Sequence, residues 1–114
     1  MNILIRNETA ADIAAISAVT EAAFRNHPHS KQTEGFVIHA LRKANALTIS
    51  LVAEADGKVV GHVAFSPAIV SGETDGWYGL GPVSVQPELQ RQGIGKALIH
   101  EGLARLKAIT ATGC

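Results

Sequence analysis

The spacing of apolar residues along the chain predicts three amphipathic helices. Apolar side chains recur every three or four residues in three segments, at residues 10–25, 32–44 and 94–107. Thr9 is placed to cap the first of these helices, and Asp12 follows three residues later. This helix is expected to end near Asn26–His29, because Pro28 disfavours a helical conformation in the residue before it.

Apolar runs rich in β-branched residues predict four strands around these helices. The runs cover residues 2–6, 47–55, 58–70 and 77–85. Asp56-Gly57 joins the second run to the third and is typical of a tight hairpin turn. Gly61 is expected to allow a bulge or close packing within its strand. The order β-α-α-β-β-β-α predicts a single α/β domain over residues 1–114, with helices covering a sheet.

The charge balance gives no reason to expect nucleic acid or a membrane surface as a partner. Ten basic residues balance ten acidic ones, so no net positive field would attract polyanions. No apolar run is long enough to span a bilayer, and the N-terminus lacks the pattern of a signal peptide. The single cysteine, Cys114, cannot form an internal disulfide, and no metal site is predicted. We therefore expect a cytoplasmic protein.

Two glycines lie where the last strand leads into the last helix, in Gln90-Arg91-Gln92-Gly93-Ile94-Gly95. A Walker A loop would need glycine at position 90 and a hydroxyl at position 97, where this chain has Gln90 and Ala97. A Rossmann fingerprint would need its third glycine at position 98, which holds leucine. Both nucleotide motifs are therefore excluded.

The loop still has the physical properties of an anion site. Gly93 and Gly95 carry no Cβ atom that would keep a ligand away from the backbone. A helix N-terminus offers free N–H groups and a partial positive charge, which together favour a phosphate. Arg91 and Lys96 could add positive charge beside that anion.

These residues resemble the acetyl-CoA-binding motif of the GNAT acyltransferase superfamily. The pattern Gln-x-x-Gly-x-Gly at 90–95 follows Val83-Ser84-Val85-Gln86-Pro87, which is similar to the strand end that precedes the motif in that family. Residues 57–63 resemble the family's third strand. Residues 77–82 resemble a subgroup of predicted bacterial N-acetyltransferases. The order of elements also matches the N-terminal part of the family, so the resemblance covers nearly all of the chain.

The resemblance implies a mainly antiparallel sheet and acetyl-CoA as cosubstrate. Backbone amides from Arg91 to Lys96 would hold the pyrophosphate, and the strand Val83–Val85 would pair with the pantetheine arm. A backbone N–H near Val85 would polarise the thioester carbonyl, and an amine of a small molecule or peptide would attack directly. The implied cofactor-binding residues are Val83, Ser84, Val85, Gln90, Arg91, Gln92, Gly93, Ile94, Gly95 and Lys96.

No residue is assigned as the general base. Some family members place a glutamate on the strand before the loop, but residues 77–86 contain none. His62 is interpreted as a core histidine and Glu54 as a surface strand residue. His27 and His29 are interpreted as exposed loop residues, and the aromatic pair at 77–78 as packing residues.

The resemblance also implies that the chain covers only the N-terminal two-thirds of a family domain. The expected C-terminal strands and helix would follow Cys114, so the strand at 77–85 would form a sheet edge. Self-association into a homo-oligomer, such as a homodimer, is expected from that edge. Two other functions stay open: a catalytically silent CoA-binding or interaction module, and an unrelated anion-binding α/β domain.

Overall fold

The computed structural model describes residues 2–25, 34–44, 47–67 and 77–109. Within these ranges the chain forms β1 (Ile3–Asn7), α1 (Ile13–Phe24), α2 (Glu34–Lys43), β2 (Ile49–Ala55), β3 (Lys58–Pro67), β4 (Tyr78–Val85) and α3 (Ile94–Ala108). Short 3-10 turns precede α1 and α3, at Ala10–Asp12 and Pro87–Leu89. The predicted order of elements is confirmed. The predicted helix end at 26–29, with His27 and His29, and Cys114 lie outside the described residues.

The four strands form one sheet in the order β1-β2-β3-β4, and every neighbouring pair is antiparallel. The predicted hairpin at Asp56-Gly57 is confirmed, because both residues have positive φ, 51° and 79°, as a tight two-residue turn requires. The prediction for Gly61 is also confirmed. The register shifts next to it, and a Cβ there would lie 3.1 Å from Leu98 Cδ1 and 3.2 Å from the Ser84 carbonyl oxygen.

The helices cover the two faces of the sheet separately. Helix α3 packs on the face that carries the larger apolar cluster, with Leu51, Val63, Phe65, Leu98 and Leu106 among its buried members. Helices α1 and α2 cover the other face, where Ile16 and Ile38 pack on Val52. Alternation of side chains along each strand produces these two faces. The end of β4 therefore has α3 on one face and α1 on the other.

The apolar spacing at residues 32–44 predicts one buried face made of Phe36, Val37, Ala40 and Leu41, and this prediction is wrong for two of them. Val37 and Ala40 are exposed, whereas Ile38 is the buried contact with α1 and the sheet. The apolar spacing in this helix is compatible with two neighbouring stripes, and packing on α1 selects the one containing Ile38.

In α3, Leu103 is 43% exposed while its neighbour Gly102 is buried. The missing side chain at Gly102 allows α3 to approach Phe65 closely.

The start of α1 is held to the sheet by a network of ion pairs. Asp12 accepts hydrogen bonds from the Thr9 backbone N–H at 2.7 Å and from the Arg6 guanidinium at 2.7 and 3.1 Å. Arg6 also binds Glu54 at 3.0 Å, so Glu54 is a half-buried ion-pair partner and not simply a surface residue. The hydrogen bond to Arg6, with that from Thr9, holds the pKa of Asp12 well below its ordinary range.

Candidate functional site

The junction between β4 and α3 presents unpaired backbone amides. After the turn at Pro87–Leu89, the chain reaches Gly93, whose carbonyl accepts the Ala97 N–H at 2.9 Å. The N–H groups of the first helical turn, Ile94 to Lys96, therefore have no acceptor within the helix. Gly93, Lys96 and Arg91 are exposed, so these amides are open to a ligand. Such a helix end binds anions.

The loop before α3 contains two residues in the left-handed region. Gly93 is the N-cap of α3 with φ 85°, and Arg91 has φ 67°. Glycine adopts such a φ without strain, whereas an arginine does so at a cost of about 1 kcal/mol or more. Strained backbone of this kind concentrates at functional sites. No sequence signal pointed to the unusual conformation of Arg91, because only the folded loop imposes it.

The two glycines of the motif serve different purposes. A Cβ on Gly93 would meet no atom within 4 Å, so glycine is required there by the positive φ and not by lack of space. A Cβ on Gly95 would lie 3.7 and 3.8 Å from the side chains of Val85 and Val83, which are ordinary van der Waals distances. The protein itself would therefore accept alanine at position 95 but not readily at position 93.

The side chain of Gln90 holds the loop to the end of β4. Its amide donates to the Val85 carbonyl at 3.1 Å. Gln86, the residue that follows Val85, donates its backbone N–H to the Val60 carbonyl on β3 at 2.8 Å. Val85 thus directs its carbonyl away from β3, while Gln86 directs its backbone towards β3. Gln90 is one of the residues predicted to contact the cofactor, whereas in the structure its side chain is bonded to the protein's own backbone.

The backbone of β4 alternates between its partner strand and an open edge. In an antiparallel pair, successive residues point their N–H and C=O groups alternately towards and away from the neighbour. Since Gln86 faces β3, Ser84 also faces β3, and Val83 and Val85 face away. No described strand covers that side of β4. The Val85 carbonyl already accepts a hydrogen bond from the Gln90 side chain. The Val85 N–H, the Val83 N–H and the Val83 carbonyl are therefore left for a ligand.

The side chains of this segment also alternate. Val83 and Val85 face Gly95 and α3, whereas the Ser84 hydroxyl lies under α1, 3.3 Å from the Thr20 hydroxyl. Further back in β4 the register shifts, so that Gly81 and Pro82 together stand opposite Ala64. This irregularity is a β-bulge, a feature often found next to active sites.

The charge around the helix N-terminus favours an anion. Arg91 and Lys96 are exposed on either side of the free amides. No acidic residue occurs between positions 89 and 100, so nothing in this stretch opposes their positive charge. The ten residues predicted to bind the cofactor therefore lie in one continuous unit of β4, loop and α3. Their contact with a cofactor stays a prediction.

A second polar group lies on the α1 and α2 face of the sheet. His62 is fully buried, and its Nε2 lies 2.7 Å from Ser50 Oγ. Ser50 in turn donates to Glu8, and the Arg42 guanidinium binds the same carboxylate. Burial lowers the pKa of His62 to about 4, with a further lowering by Arg42 that Glu8 opposes. His62 is thus a core histidine as predicted, but it is joined to charged groups.

The described ranges contain neither a metal-binding cluster nor a membrane-spanning helix. Among the residues 2–25, 34–44, 47–67 and 77–109, no group of three or more His, Cys, Asp or Glu is placed to hold a metal ion. In the same part of the chain, no helix has the length and apolar character needed to cross a bilayer.

Comparison with known proteins identifies relatives for almost the whole chain. Residues 14–114 match the acetyltransferase (GNAT) family. The chain is 38% identical over 104 residues to the uncharacterized N-acetyltransferase YhbS of Escherichia coli K12, and this match covers 90% of the chain. It is 34% identical over 106 residues to the uncharacterized N-acetyltransferase YjhQ of the same strain. The chain spans 59% and 56% of the lengths of these two relatives.

Two solved structures share both sequence and fold with the chain. A GNAT family acetyltransferase from Brucella melitensis, in complex with acetyl-CoA, is 57% identical with a TM-score of 0.96. That match covers 99% of this chain and 73% of the other. The E. coli YhbS protein in complex with CoA is 36% identical with a TM-score of 0.86, over 96% of this chain and 58% of the other.

Proposed function

The chain belongs to the acetyltransferase (GNAT) family, and from that membership we propose that it transfers an acetyl group from acetyl-CoA to a primary amine. One observation carries the proposal: the free amides at the start of α3 adjoin the unpaired backbone groups of Val83 and Val85. The free amides of α3 are suited to bind a pyrophosphate, and the unpaired backbone groups of β4 are suited to pair with the amides of a pantetheine arm. Acetyl-CoA contains both groups on one molecule. The related proteins crystallised with acetyl-CoA and CoA support this choice.

The pyrophosphate would lie at the N-terminus of α3. The amides of residues 91–96 would donate to its oxygens, with the exposed cations Arg91 and Lys96 beside it. The left-handed conformations at Arg91 and Gly93 shape the loop around that position. The side chain of Gln90 would act indirectly, because its amide is already bonded to Val85.

The pantetheine arm would extend along the open edge of β4. Its amides would pair with the free outward-facing groups of Val83 and Val85, except for one N–H, as an added strand does. The backbone of Ser84 would not contact the arm, because it faces β3. A backbone N–H of Val83 or Val85 would then donate to the thioester carbonyl and stabilise the negative charge that develops on its oxygen.

The chemistry would need no covalent intermediate on the protein. The acceptor amine would attack the thioester carbon directly, forming the C–N bond as the C–S bond breaks. The rate would come from holding the two reactants together and from removing a proton from the amine. The identity of the amine is not determined by β4 and α3, which bind only the donor.

Ligand binding and turnover test the proposal separately. CoA is expected to raise the melting temperature of the chain, while ATP and NAD are expected to leave it unchanged. Release of free thiol from acetyl-CoA is then measured with spermidine, glucosamine, L-lysine and a dipeptide as acceptors. A chain that CoA does not stabilise would contradict the site. A chain that binds CoA and acetylates none of these amines would contradict the transfer activity towards them.

A second candidate is CoA binding without acetyl transfer. Residues 77–86 contain neither an acidic residue nor a histidine, so β4 itself supplies no proton acceptor. Stabilisation by CoA together with absent turnover would support this candidate. A homo-oligomeric state and a cytoplasmic location stay predictions, and sedimentation and fractionation would test them.

A further inference from the structure

A polar pocket lies where the end of β1, the start of β2 and α2 meet. Its volume is about 360 Å³, and the polar part of its lining consists of Asn7, Glu8, Arg42, Thr48 and Ser50. Pockets that hold small molecules usually have volumes of about 300 to 1,000 Å³. This β1–α2 pocket therefore has the size of a site for a small ligand.

The β1–α2 pocket contains one anion and one cation side by side. Among its described lining residues only Glu8 and Arg42 are charged, and they bind each other. Their side chains are 17% and 24% exposed, so their charges act on a ligand more strongly than charges on an open surface would. His62, which contacts Ser50, adds no charge, because burial lowers its pKa to about 4.

The guanidinium of Arg42 keeps hydrogen-bond donors for a ligand. Its Nη1 donates to Glu8 Oε2. Within the ranges 2–25, 34–44, 47–67 and 77–109, its Nε and Nη2 have no acceptor. These two nitrogens form the planar fork that binds both oxygens of a carboxylate. The exposed Thr48, which also lines the pocket, offers a hydroxyl beside them.

The carboxylate of Glu8 restricts which anion Arg42 can hold. Its two oxygens accept hydrogen bonds from Ser50 Oγ and Arg42 Nη1, and each keeps a second lone pair. A simple carboxylate on Arg42 would be repelled by the neighbouring charge of Glu8. An ammonium group on the same ligand would offset that repulsion by binding Glu8. The pocket therefore favours a zwitterion over a simple anion or a simple amine.

The pocket is remote from the edge where acetyl transfer is proposed. Glu8 follows β1, and the sheet has the order β1-β2-β3-β4. Three strand spacings, about 14 Å in all, therefore separate β1 from β4. The free backbone groups of Val83 and Val85 lie on the far side of β4. A small ligand held by Glu8 and Arg42 does not reach them, so the pocket is distinct from the acceptor position.

We propose that the β1–α2 pocket binds a free α-amino acid, with its carboxylate on Arg42 and its ammonium on Glu8. An α-amino acid carries both charges on one carbon atom, which matches the direct contact between the two side chains. The apolar lining residues Leu47 and Ile49 contact the amino acid's own side chain. This inference does not depend on the proposed acetyl transfer.

Nuclear magnetic resonance on the nitrogen-15-labelled chain tests the site. L-alanine, L-valine, L-glutamine and L-glutamate are titrated in turn to about 10 mM, ten times a dissociation constant of 1 mM. At least one is expected to shift the amide signals of Glu8, Thr48 and Ser50 to saturation and to leave Val83 and Gly93 unchanged. Its analogues without the amino group or without the carboxylate are expected to bind about tenfold more weakly. No shift with any of the four, or equal binding of an analogue, would overturn the proposal.

Substitutions in the pocket separate its two charges. Arg42→Gln is expected to weaken binding of the best amino acid about tenfold or more. Lys43→Gln removes the same charge from the next residue, which is exposed and does not line the pocket, and is expected to have no effect. Glu8→Gln keeps the side-chain shape, and there the deaminated analogue is expected to bind nearly as well as the amino acid. Equal losses in Arg42→Gln and Lys43→Gln, or an unchanged preference in Glu8→Gln, would contradict the site.

Binding of CoA distinguishes this proposal from the proposed function. Arg42→Gln is expected to change the dissociation constant for CoA less than about twofold, because the pocket does not touch the cofactor loop. Amino-acid binding without CoA binding would leave the pocket and overturn the acetyl-CoA site, and the reverse result would overturn the pocket alone. Acetylation of the bound amino acid that is lost in Arg42→Gln would make the pocket the acceptor site and overturn its separate position.

Discussion

The side-chain amide of Gln90 donates to the carbonyl of Val85 at 3.1 Å, and this bond joins the cofactor loop to the edge of β4. Among the described residues, the other outward-facing groups of Val83 and Val85 stay unpaired. The bond also keeps the Gln90 side chain out of the position of a direct ligand. Binding of CoA should therefore depend on Gln90 through the geometry of the loop.

Removal of the Gln90 donor is expected to weaken CoA binding without unfolding the chain. In Gln90→Glu the side chain keeps its shape, but it cannot donate to the Val85 carbonyl. One hydrogen bond of this kind contributes about 1 kcal/mol, so the dissociation constant should rise roughly fivefold. Isothermal titration with CoA measures the change. Gln92→Glu, which places the same charge two residues away, is the matched control, and an equal loss there would point to charge alone.

Alanine at the two loop glycines is expected to have different effects. Gly93→Ala places a Cβ at φ 85° and should reduce stability by about 1 kcal/mol or more, which corresponds to a fall in melting temperature of about 4 °C. Gly95→Ala adds only ordinary contacts with Val83 and Val85 and should leave stability nearly unchanged. Thermal denaturation of the two variants side by side tests this. Equal losses would show that space, and not backbone conformation, limits both positions.

Gly102→Ala is expected to be destabilising although alanine favours helices. A Cβ at Gly102 would overlap Phe65 Cε1, so either the ring or α3 must move. Overpacking of this kind costs about 1 to 3 kcal/mol, more than the roughly 1 kcal/mol gained in helix propensity. The double variant with Phe65→Leu should lose less than the sum of the two single variants. Additive losses in urea denaturation would argue against the contact.

Stability is expected to fall with acidification as His62 becomes protonated. The pKa of His62 is lowered from 6.5 to about 4 in the folded state, so the unfolded chain takes up a proton first as the pH falls. The stabilisation is complete above pH 6.5 and is lost between 6.5 and 4, by roughly 2 to 3 kcal/mol in all. His62→Gln should flatten this part of the stability curve. An unchanged slope in the variant would assign the pH dependence to other groups.

Asp12→Asn is expected to destabilise the chain, whereas Glu21→Gln is not. Asp12 is buried and binds both Arg6 and the Thr9 N–H, so the change removes one of the two carboxylates that bind the half-buried Arg6 guanidinium and leaves Glu54 as the other. The cost should be about 1 to 3 kcal/mol in urea denaturation. Glu21 pairs with Arg25 on the exposed surface of α1, where such pairs contribute little. Similar losses in both variants would contradict the role of burial.

The local elements were predictable because their signals are local. The hairpin at Asp56-Gly57 and the 3-10 turn that precedes α1 depend on turn and capping residues within a few positions of each other. The cofactor loop was recognised for the same reason, since its glycines and glutamine are contiguous. The wrong face of α2 shows the limit of this approach. Spacing permits two stripes there, and only the contact of Ile38 with Ile16 and Val52 selects one.

By itself, the sequence determined the order of strands and helices, the hairpin, and the loop between β4 and α3, because backbone preferences and apolar periodicity act over short distances. The tertiary structure decided which groups can meet. It turned Val83 and Val85 towards an open edge, bonded Gln90 to Val85, and aligned Ser84, His62, Ser50 and Glu8 across three strands. These relationships join residues up to 76 positions apart in the chain. They depend on strand register and burial, and no short sequence pattern encodes either of these.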